Sequence, residues 1–316
     1  MERRIGRNVA VATLACGLFA ASALLLGDAD DQFSDWSAPA NLGPVVNTVP
    51  FAEICPSISK DGLSLYFFSD RPGGFGGNDI YVAQRASVDD PWGPPIDLGP
   101  TINTEHDDSA AWLSLDGHQL YFTSSRPGGF GGLDLYVSRR HNKRDDFAWR
   151  PAVNLGSGVN SFANDISPFY FEDDETGTVT LYFASNRPGG IGSDDIYAST
   201  LQPDETFGPA VLVEELSSPF LDRLPAIRRD GLEMFITSTR PGGFGFLDLW
   251  VSTRAGTSDP WSMPVNLGPG INAGEVDGCG RLSFDGTALY FHSTRASGFP
   301  DFDLHVSTRS KLRGPH

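Results

Sequence analysis

One motif occurs five times in the chain, and its first copy reads Ser69-Asp70-Arg71-Pro72-Gly73-Gly74-Phe75-Gly76-Gly77-Asn78-Asp79-Ile80-Tyr81-Val82. The later copies begin at Arg126, Arg187, Arg240 and Arg295, and the last has Ala-Ser-Gly in place of Pro-Gly-Gly. In every copy an aspartate follows the arginine by eight residues, and successive arginines lie 55, 61, 53 and 55 residues apart. A period in this range is typical of a repeat architecture.

Each repeat contains four short segments with the composition of β-strands. The first opens with an acid, the second resembles Leu-Tyr-Phe, the third resembles Asp-Ile-Tyr-Val, and the fourth leads into Asp/Asn-Leu-Gly. Four of the five repeats place an Asp-Gly turn between the first two segments, as a hairpin requires. Four aromatic and β-branched segments per repeat match one blade of a propeller. We therefore predict an all-β chain that forms a five-bladed β-propeller of four-stranded blades.

The two ends of the repeat region complement each other. Residues 36–47 form a fourth segment with no strands before it, while residues 304–307 form a third segment with no fourth after it. Pairing of the N-terminal strand with the C-terminal blade would close the ring and leave no free sheet edge. We expect one propeller domain over residues 32–316.

The N-terminal residues have the pattern of an export signal. Three arginines precede an apolar run over residues 9–26, which ends in an acidic, small-residue segment. We predict a signal peptide over residues 1–29 and a periplasmic or extracellular location. An uncleaved run would instead serve as an N-terminal membrane anchor.

The charge of the chain limits its partners. The formal net charge is -17, which argues against nucleic acid and anionic membrane surfaces as partners because both are polyanions. We expect a monomer whose only membrane contact is the possible N-terminal anchor.

The repeated residues resemble the TolB-type, or WD40-like, β-propeller repeat. The resemblance rests on the acid that heads the first strand, the Asp-Gly turn, Leu-Tyr-Phe-x-Ser-x-Arg, and Asp-Ile-Tyr-Val. It covers roughly residues 32–309 and implies a propeller of the bacterial cell envelope. The extra N-terminal domain and sixth blade of TolB are missing from this chain, so TolB's own partner is not carried over.

The acids that head the first strands should lie on the same propeller face as the Gly-rich loops, because strands of a blade alternate in direction. These strand-head acids are Glu53, Asp108, Asp165, Asp222 and Asp277. The loop arginines and aspartates are expected to form a structural latch. Either the arginine and the aspartate of one loop pair with each other, or the arginine pairs with the strand-head acid. The latch residues are Arg71, Asp79, Arg126, Asp134, Arg187, Asp195, Arg240, Asp248, Arg295 and Asp303.

The residue at the centre of each loop is apolar. These residues are Phe75, Phe130, Ile191, Phe244 and Phe299. We expect them to pack on the neighbouring loops; if exposed, they would form a ligand-binding platform together with the strand-head acids.

The function that we expect from the sequence is non-catalytic binding of an envelope protein or a glycan on the loop face, with no cofactor. The alternative is a carbohydrate-active enzyme that uses two strand-head carboxylates, since glycoside hydrolysis needs two carboxyl groups in unequal environments. A further alternative is Ca²⁺ held at the channel mouth by several of these oxygens. Histidines show no metal-ligand spacing, and no Gly-x-Ser-x-Gly motif is present.

Two cysteines occupy equivalent positions in the first and last repeats. Cys55 and Cys279 each lie eleven residues before the strand tyrosine. Ring closure would make their blades neighbours, and an oxidising compartment would permit a disulfide between them. Equivalent positions point the same way around the ring, however, which works against the geometry of a bridge, so we expect two buried thiols, with the disulfide as the alternative.

Overall fold

The computed structural model describes residues 32–295 and 301–312, in which all regular secondary structure is β-strand. Five antiparallel sheets of four strands form a five-bladed propeller, as predicted. No helix in these two ranges has the length and apolar character needed to cross a membrane. The signal peptide predicted over residues 1–29 lies outside the described residues.

The strands of each blade are given from the channel outward. Blade 1 contains Glu53–Ile58, Ser64–Ser69, Asp79–Gln84 and Ile96–Asp97. Blade 2 contains Asp108–Leu113, Gln119–Ser124, Asp134–Arg139 and Val153–Asn154. Blade 3 contains Asp165–Glu172, Val179–Ser185, Asp195–Thr200 and Val211–Leu212. Blade 4 contains Asp222–Ile227, Glu233–Ser238, Asp248–Thr253 and Val265–Asn266. Blade 5 contains Asp277–Leu282, Ala288–Ser293, Asp303–Thr308 and Ala40–Asn41.

The predicted closure of the ring is confirmed. Ala40–Asn41 is the outer strand of blade 5, where Ala40 lies opposite Val306 and Asn41 opposite His305. A further two-stranded sheet joins Gln32–Phe33 to Lys311–Leu312. Both ends of the repeat region are therefore held by strand pairing.

Neighbouring blades are joined by one hydrogen bond that recurs at all five junctions. The N–H of each strand-head acid donates to the carbonyl of the residue before the third strand of the preceding blade. The donor and acceptor pairs are Glu53 with Phe302, Asp108 with Asn78, Asp165 with Leu133, Asp222 with Asp194, and Asp277 with Leu247, at 2.8 to 2.9 Å. The bond from Glu53 to Phe302 joins blade 1 to blade 5 and shows that the ring is closed.

The second strand of each blade is buried on both faces because a neighbouring blade covers each side. Leu65, Tyr66 and Phe67 are all fully buried. This explains why the strand is a continuous apolar run, whereas a half-exposed strand would alternate apolar and polar residues. The Asp-Gly turns lie on the opposite propeller face from the Gly-rich loops, and Gly62 adopts a φ of 74° in the first of them. We call these the turn face and the loop face.

Candidate functional site on the loop face

An arginine from the Gly-rich loop covers each strand-head carboxylate. Arg71 Nη2 lies 2.6 Å from Glu53 Oε1, and the side chain of Glu53 has no exposed area. The same contact recurs at 2.6 Å for Arg126 and Asp108, 2.5 Å for Arg240 and Asp222, and 2.7 Å for Arg295 and Asp277, and it also joins Arg187 to Asp165. All five carboxylates are fully buried.

The latch therefore takes the second of its two predicted forms. The expectation that the arginine and aspartate of one loop meet each other is wrong, because Arg71 also donates to Ser69 Oγ and to the carbonyl of Val46, which direct it toward Glu53. The contact with the carboxylate uses a single guanidinium nitrogen and is not bidentate. Glu53 also accepts hydrogen bonds from the N–H and hydroxyl of Thr48 and a longer one, at 3.4 Å, from the hydroxyl of Ser69.

The loop aspartate binds the backbone of its own loop. Asp79 accepts from the N–H groups of Phe75 at 2.9 Å and Gly76 at 3.1 Å. A Cβ at Gly74 would lie 2.0 Å from Asp79 Oδ2, so only glycine allows the carboxylate to approach. The motif thus encodes two separate latches, one for the arginine and one for the aspartate.

The apolar residues at the loop centres face solvent. The exposed fractions are 49% for Phe75, 50% for Phe130, 45% for Ile191 and 58% for Phe244, whereas Phe299 lies outside the described residues. The expectation that these four side chains pack on neighbouring loops is wrong. The aspartate holds the backbone N–H of the apolar residue inward, as Asp79 does for Phe75, and the side chain turns outward. Their role as a ligand platform stays a prediction.

A ring of strained residues surrounds the channel just below the strand heads. The second residue after each strand-head acid has a positive φ, between 49° and 60°, at Cys55, Ala110, Ser167, Leu224 and Cys279. Each lies at a β-bulge in the first strand, or where its register shifts. Left-handed non-glycine residues are uncommon, and such strain clusters at functional sites. The sequence gives no direct signal for it because the residue types differ from blade to blade.

The two cysteines in this ring form a disulfide. The Cα atoms of Cys55 and Cys279 lie 5.0 Å apart, and both side chains are buried together with Ala110 and Leu224. The expectation of two buried thiols is wrong, because the bulge at each cysteine turns its side chain toward the channel, where the two sulfur atoms meet. The bridge ties blade 1 to blade 5 across the closure.

A cavity of about 360 Å³ lies at the loop-face mouth of the channel, and residues of all five blades line it. Its wall is mostly apolar and includes Ile54, Phe68, Leu133, Leu247 and Phe302. We call it the mouth cavity. Its size suits one or a few sugar residues, since ligand pockets are mainly apolar with a few placed polar groups.

Charged and ionisable groups reach the mouth cavity in two places. Arg223 lines it and forms an ion pair with Asp194, at 2.5 Å. His292 also lines it, and burial lowers the pKa of His292 to about 4, so its ring is neutral at physiological pH. Arg223 was not predicted from the sequence. The available signal was its position directly after a strand-head acid, where the other four repeats have isoleucine, serine or glycine.

The strand-head acids are not in equivalent environments. Burial raises the pKa of Glu53 above its ordinary value, and this effect exceeds the lowering by hydrogen bonds from Thr48 and by Arg71. Glu53 is also the one glutamate among four aspartates. None of the five carboxylates, however, lines the mouth cavity itself, because the arginines cover them.

One group of possible metal ligands occurs among the described residues, formed by Cys55, Cys279 and His292. The disulfide leaves no thiolate for a metal there. The expected Ca²⁺ at the channel mouth stays a prediction; the carboxylates proposed to hold it are engaged by arginines in this structure.

Several solved structures with a similar fold are glycoside hydrolases. An α-L-arabinofuranosidase from Lactobacillus brevis is 18% identical with a TM-score of 0.58, covering 83% of this chain and 92% of its own. An endo-arabinase from Bacteroides thetaiotaomicron is 18% identical with a TM-score of 0.59, covering 85% and 97%. The catalytic domain of an α-L-arabinofuranosidase from Coprinopsis cinerea is 12% identical with a TM-score of 0.58, covering 87% and 97%. No protein-family model and no curated protein matches the chain.

These likenesses correct the function expected from the sequence. The expectation of a non-catalytic binding propeller is wrong, because the solved structures that share the fold over most of their length are carbohydrate-cleaving enzymes. The findings favour the alternative, a carbohydrate-active enzyme. At such low identity the likeness shows the fold alone.

Proposed function

We propose that this chain is a carbohydrate-active enzyme of the glycoside hydrolase type that works at the mouth cavity. The observation that carries the proposal is a cavity of about 360 Å³ built by all five blades, on a fold shared with hydrolases of arabinose-containing substrates. In folds with a central channel, ligands often bind where several loops meet on a rigid scaffold.

Glycoside hydrolysis needs one carboxyl group that donates a proton and another that acts as base or nucleophile. Glu53 is our candidate for the proton donor, because burial raises its pKa and so favours the protonated form. Asp194 is our candidate for the second group, because its side chain is 10% exposed and its partner Arg223 lines the mouth cavity.

The proposal requires the arginine covering Glu53 to move when substrate binds. Arg71 is 12% exposed, and its other acceptors, Ser69 Oγ and the Val46 carbonyl, are neutral. A sugar hydroxyl that replaced Arg71 on Glu53 would remove a stabilising positive charge and raise the pKa of the carboxyl further. The protonated form would then be present where the leaving group needs a proton.

The substrate class that we propose is a polysaccharide with arabinose or other pentose residues. The neighbours of similar fold include an α-L-arabinofuranosidase and an endo-arabinase, and the exposed Phe75, Phe130 and Phe244 offer apolar surfaces on the loop face on which sugar rings could lie. We further propose that the chain is exported, as residues 1–29 suggest, and that its repeats are of the TolB type; both rest on the sequence motifs.

Hydrolysis by the purified full-length protein tests the proposal. The substrates are nitrophenyl α-L-arabinofuranoside, arabinan, arabinoxylan and xylan, with cellulose as an unrelated polymer. We expect product release from a pentose substrate and a loss of at least about 100-fold in kcat/KM in Glu53→Gln and in Asp194→Asn.

The matched control is Asp222→Asn, because Asp222 has the same buried contact with an arginine in blade 4. It should lower stability as much as Glu53→Gln does while activity at permissive temperature persists. The proposal fails if no carbohydrate is cleaved, or if Glu53→Gln and Asp222→Asn retain equal activity.

A further inference from the structure

Arg281 crosses the channel below the disulfide and is almost completely buried. It belongs to the first strand of blade 5, and its exposed fraction is 1%. Its guanidinium carbon lies 5.2 Å from the ring centre of Trp112 in blade 2 and 5.3 Å from that of Phe169 in blade 3. It also donates a hydrogen bond to the carbonyl of Pro225 in blade 4. One side chain therefore spans the middle of the ring.

The charge of Arg281 has no acidic partner among residues 32–295 and 301–312. Other buried arginines have one, as Arg140 does in Asp146 at 2.6 Å and as the loop arginines do in the strand-head acids. Burial lowers the pKa of Arg281 to about 9, with no carboxylate opposing this effect, so the group is still charged at neutral pH. Contact with two aromatic rings stabilises the charge only in part, because burying an ion without a charged partner carries a large desolvation cost.

A second unsatisfied donor occupies the equivalent position of the adjacent blade. Ser57 lies four residues after its strand-head acid, as Arg281 does, and the two pair with Tyr66 and Tyr290 in the same register. Ser57 Oγ is buried and has no hydrogen-bond partner. A guanidinium has five N–H donors and no acceptor. At this level of the channel, Ser57 therefore lacks any acceptor, and Arg281 has a neutral carbonyl but no anionic one.

The turn-face mouth gives this level a narrow approach. A cavity of about 80 Å³ there is lined by residues of all five blades, among them Trp112 and Phe169, which flank Arg281; Arg281 and Ser57 lie behind this lining. Lys60, Arg229 and Glu172 also line the cavity, and Arg229 is paired with Asp174, so its charged groups balance. The volume admits a small ion and excludes a sugar chain, and the charge that attracts an anion is that of Arg281.

We propose that the channel holds a small monovalent anion, a halide or a one- or two-carbon carboxylate, bound by the guanidinium of Arg281 and the hydroxyl of Ser57. The anion supplies the missing acceptor and neutralises the buried charge, and it binds from the turn face. This site is separate from the mouth cavity and does not depend on the proposed enzymatic function.

Thermal unfolding of the full-length protein tests the site. Sodium chloride is titrated at constant ionic strength against sodium gluconate, whose anion is too large for the cavity. We expect a rise in the unfolding midpoint of about 2 °C at ten times the dissociation constant, which continues with the logarithm of the chloride concentration. Formate and bromide should reproduce the rise.

Two variants separate this site from general salt effects. Arg281→Met should lose the chloride dependence, and Ser57→Ala should shift it to higher concentration. Arg254→Met is the control, because Arg254 likewise lies over an aromatic ring, 4.2 Å from the ring centre of Trp261, outside the channel. It should keep the full dependence.

Crystals soaked in bromide provide a readout that does not need a variant. Anomalous scattering should place a bromide within hydrogen-bond distance of Arg281. The proposal is overturned if the wild-type midpoint shows no chloride effect beyond that of gluconate, if Arg281→Met keeps that effect, or if the soaked channel contains no bromide.

Discussion

Replacing Arg240 by methionine should destabilise the propeller strongly, because it leaves Asp222 buried without its cation. Asp222 is fully buried, its Oδ1 lies 2.5 Å from Arg240 Nη2, and its Oδ2 keeps only the hydroxyl of Ser218. Breaking a buried pair from one side costs about 3 to 5 kcal/mol. The double variant Arg240→Met with Asp222→Leu removes both charges and should recover most of this loss.

Urea unfolding followed by tryptophan fluorescence measures these free energies. The control is Asp174→Asn, whose ion pair with Arg229 is at the surface, where Asp174 is 68% exposed; it should cost less than about 1 kcal/mol. The reasoning is refuted if Arg240→Met costs as little as that control. It is also refuted if the double variant is no more stable than Arg240→Met alone.

Two further predictions concern the loop face. Phe75→Ala and Phe130→Ala together should raise KM for a polymeric pentose substrate about tenfold, since both rings are about half exposed on the loop face and offer apolar contact, while kcat on a short aryl glycoside stays unchanged. His292→Phe should reduce the loss of folding stability at acidic pH. In the folded protein the pKa of His292 is about 4, so the ring is neutral, whereas in the unfolded chain its pKa is about 6.5 and the ring takes up a proton below that pH. Its contribution to stability is therefore complete above pH 6.5 and decreases by about 3 kcal/mol as the pH falls toward 4.

Each of these has its own control. Phe147→Ala removes a ring that is 43% exposed outside the Gly-rich loops, and equal effects on KM would show that the loop position does not matter. For the histidine, the unfolding free energies of His292→Phe and wild type are compared at pH 7 and at pH 4.5. Glu53 is present in both proteins, so its titration cancels in the difference. A difference that does not change with pH would contradict the assigned pKa.

The repeat in the amino-acid sequence was sufficient to predict the blade number, the four-stranded blades and the closure by opposite ends of the chain. These properties follow from local rules: glycine and Asp-Gly positions set the turns, and aromatic segments of five repeats must bury one another. The contact between Arg71 and Glu53 could be predicted for the same reason. Arg71 closely follows the strand that pairs with the strand headed by Glu53 in the same blade.

The tertiary structure alone decided what stands at the centre of the ring. Cys55 and Cys279 meet because a bulge with positive φ turns both side chains toward the channel, and a backbone conformation shared by cysteine, alanine, serine and leucine leaves no sequence pattern. Likewise, Arg281 meets Trp112 and Phe169 only because blade 5 faces blades 2 and 3 across the axis. The repeat specifies the structure that all five blades share. The channel brings together positions at which the blades carry different residues, so the contacts there are decided by the tertiary structure.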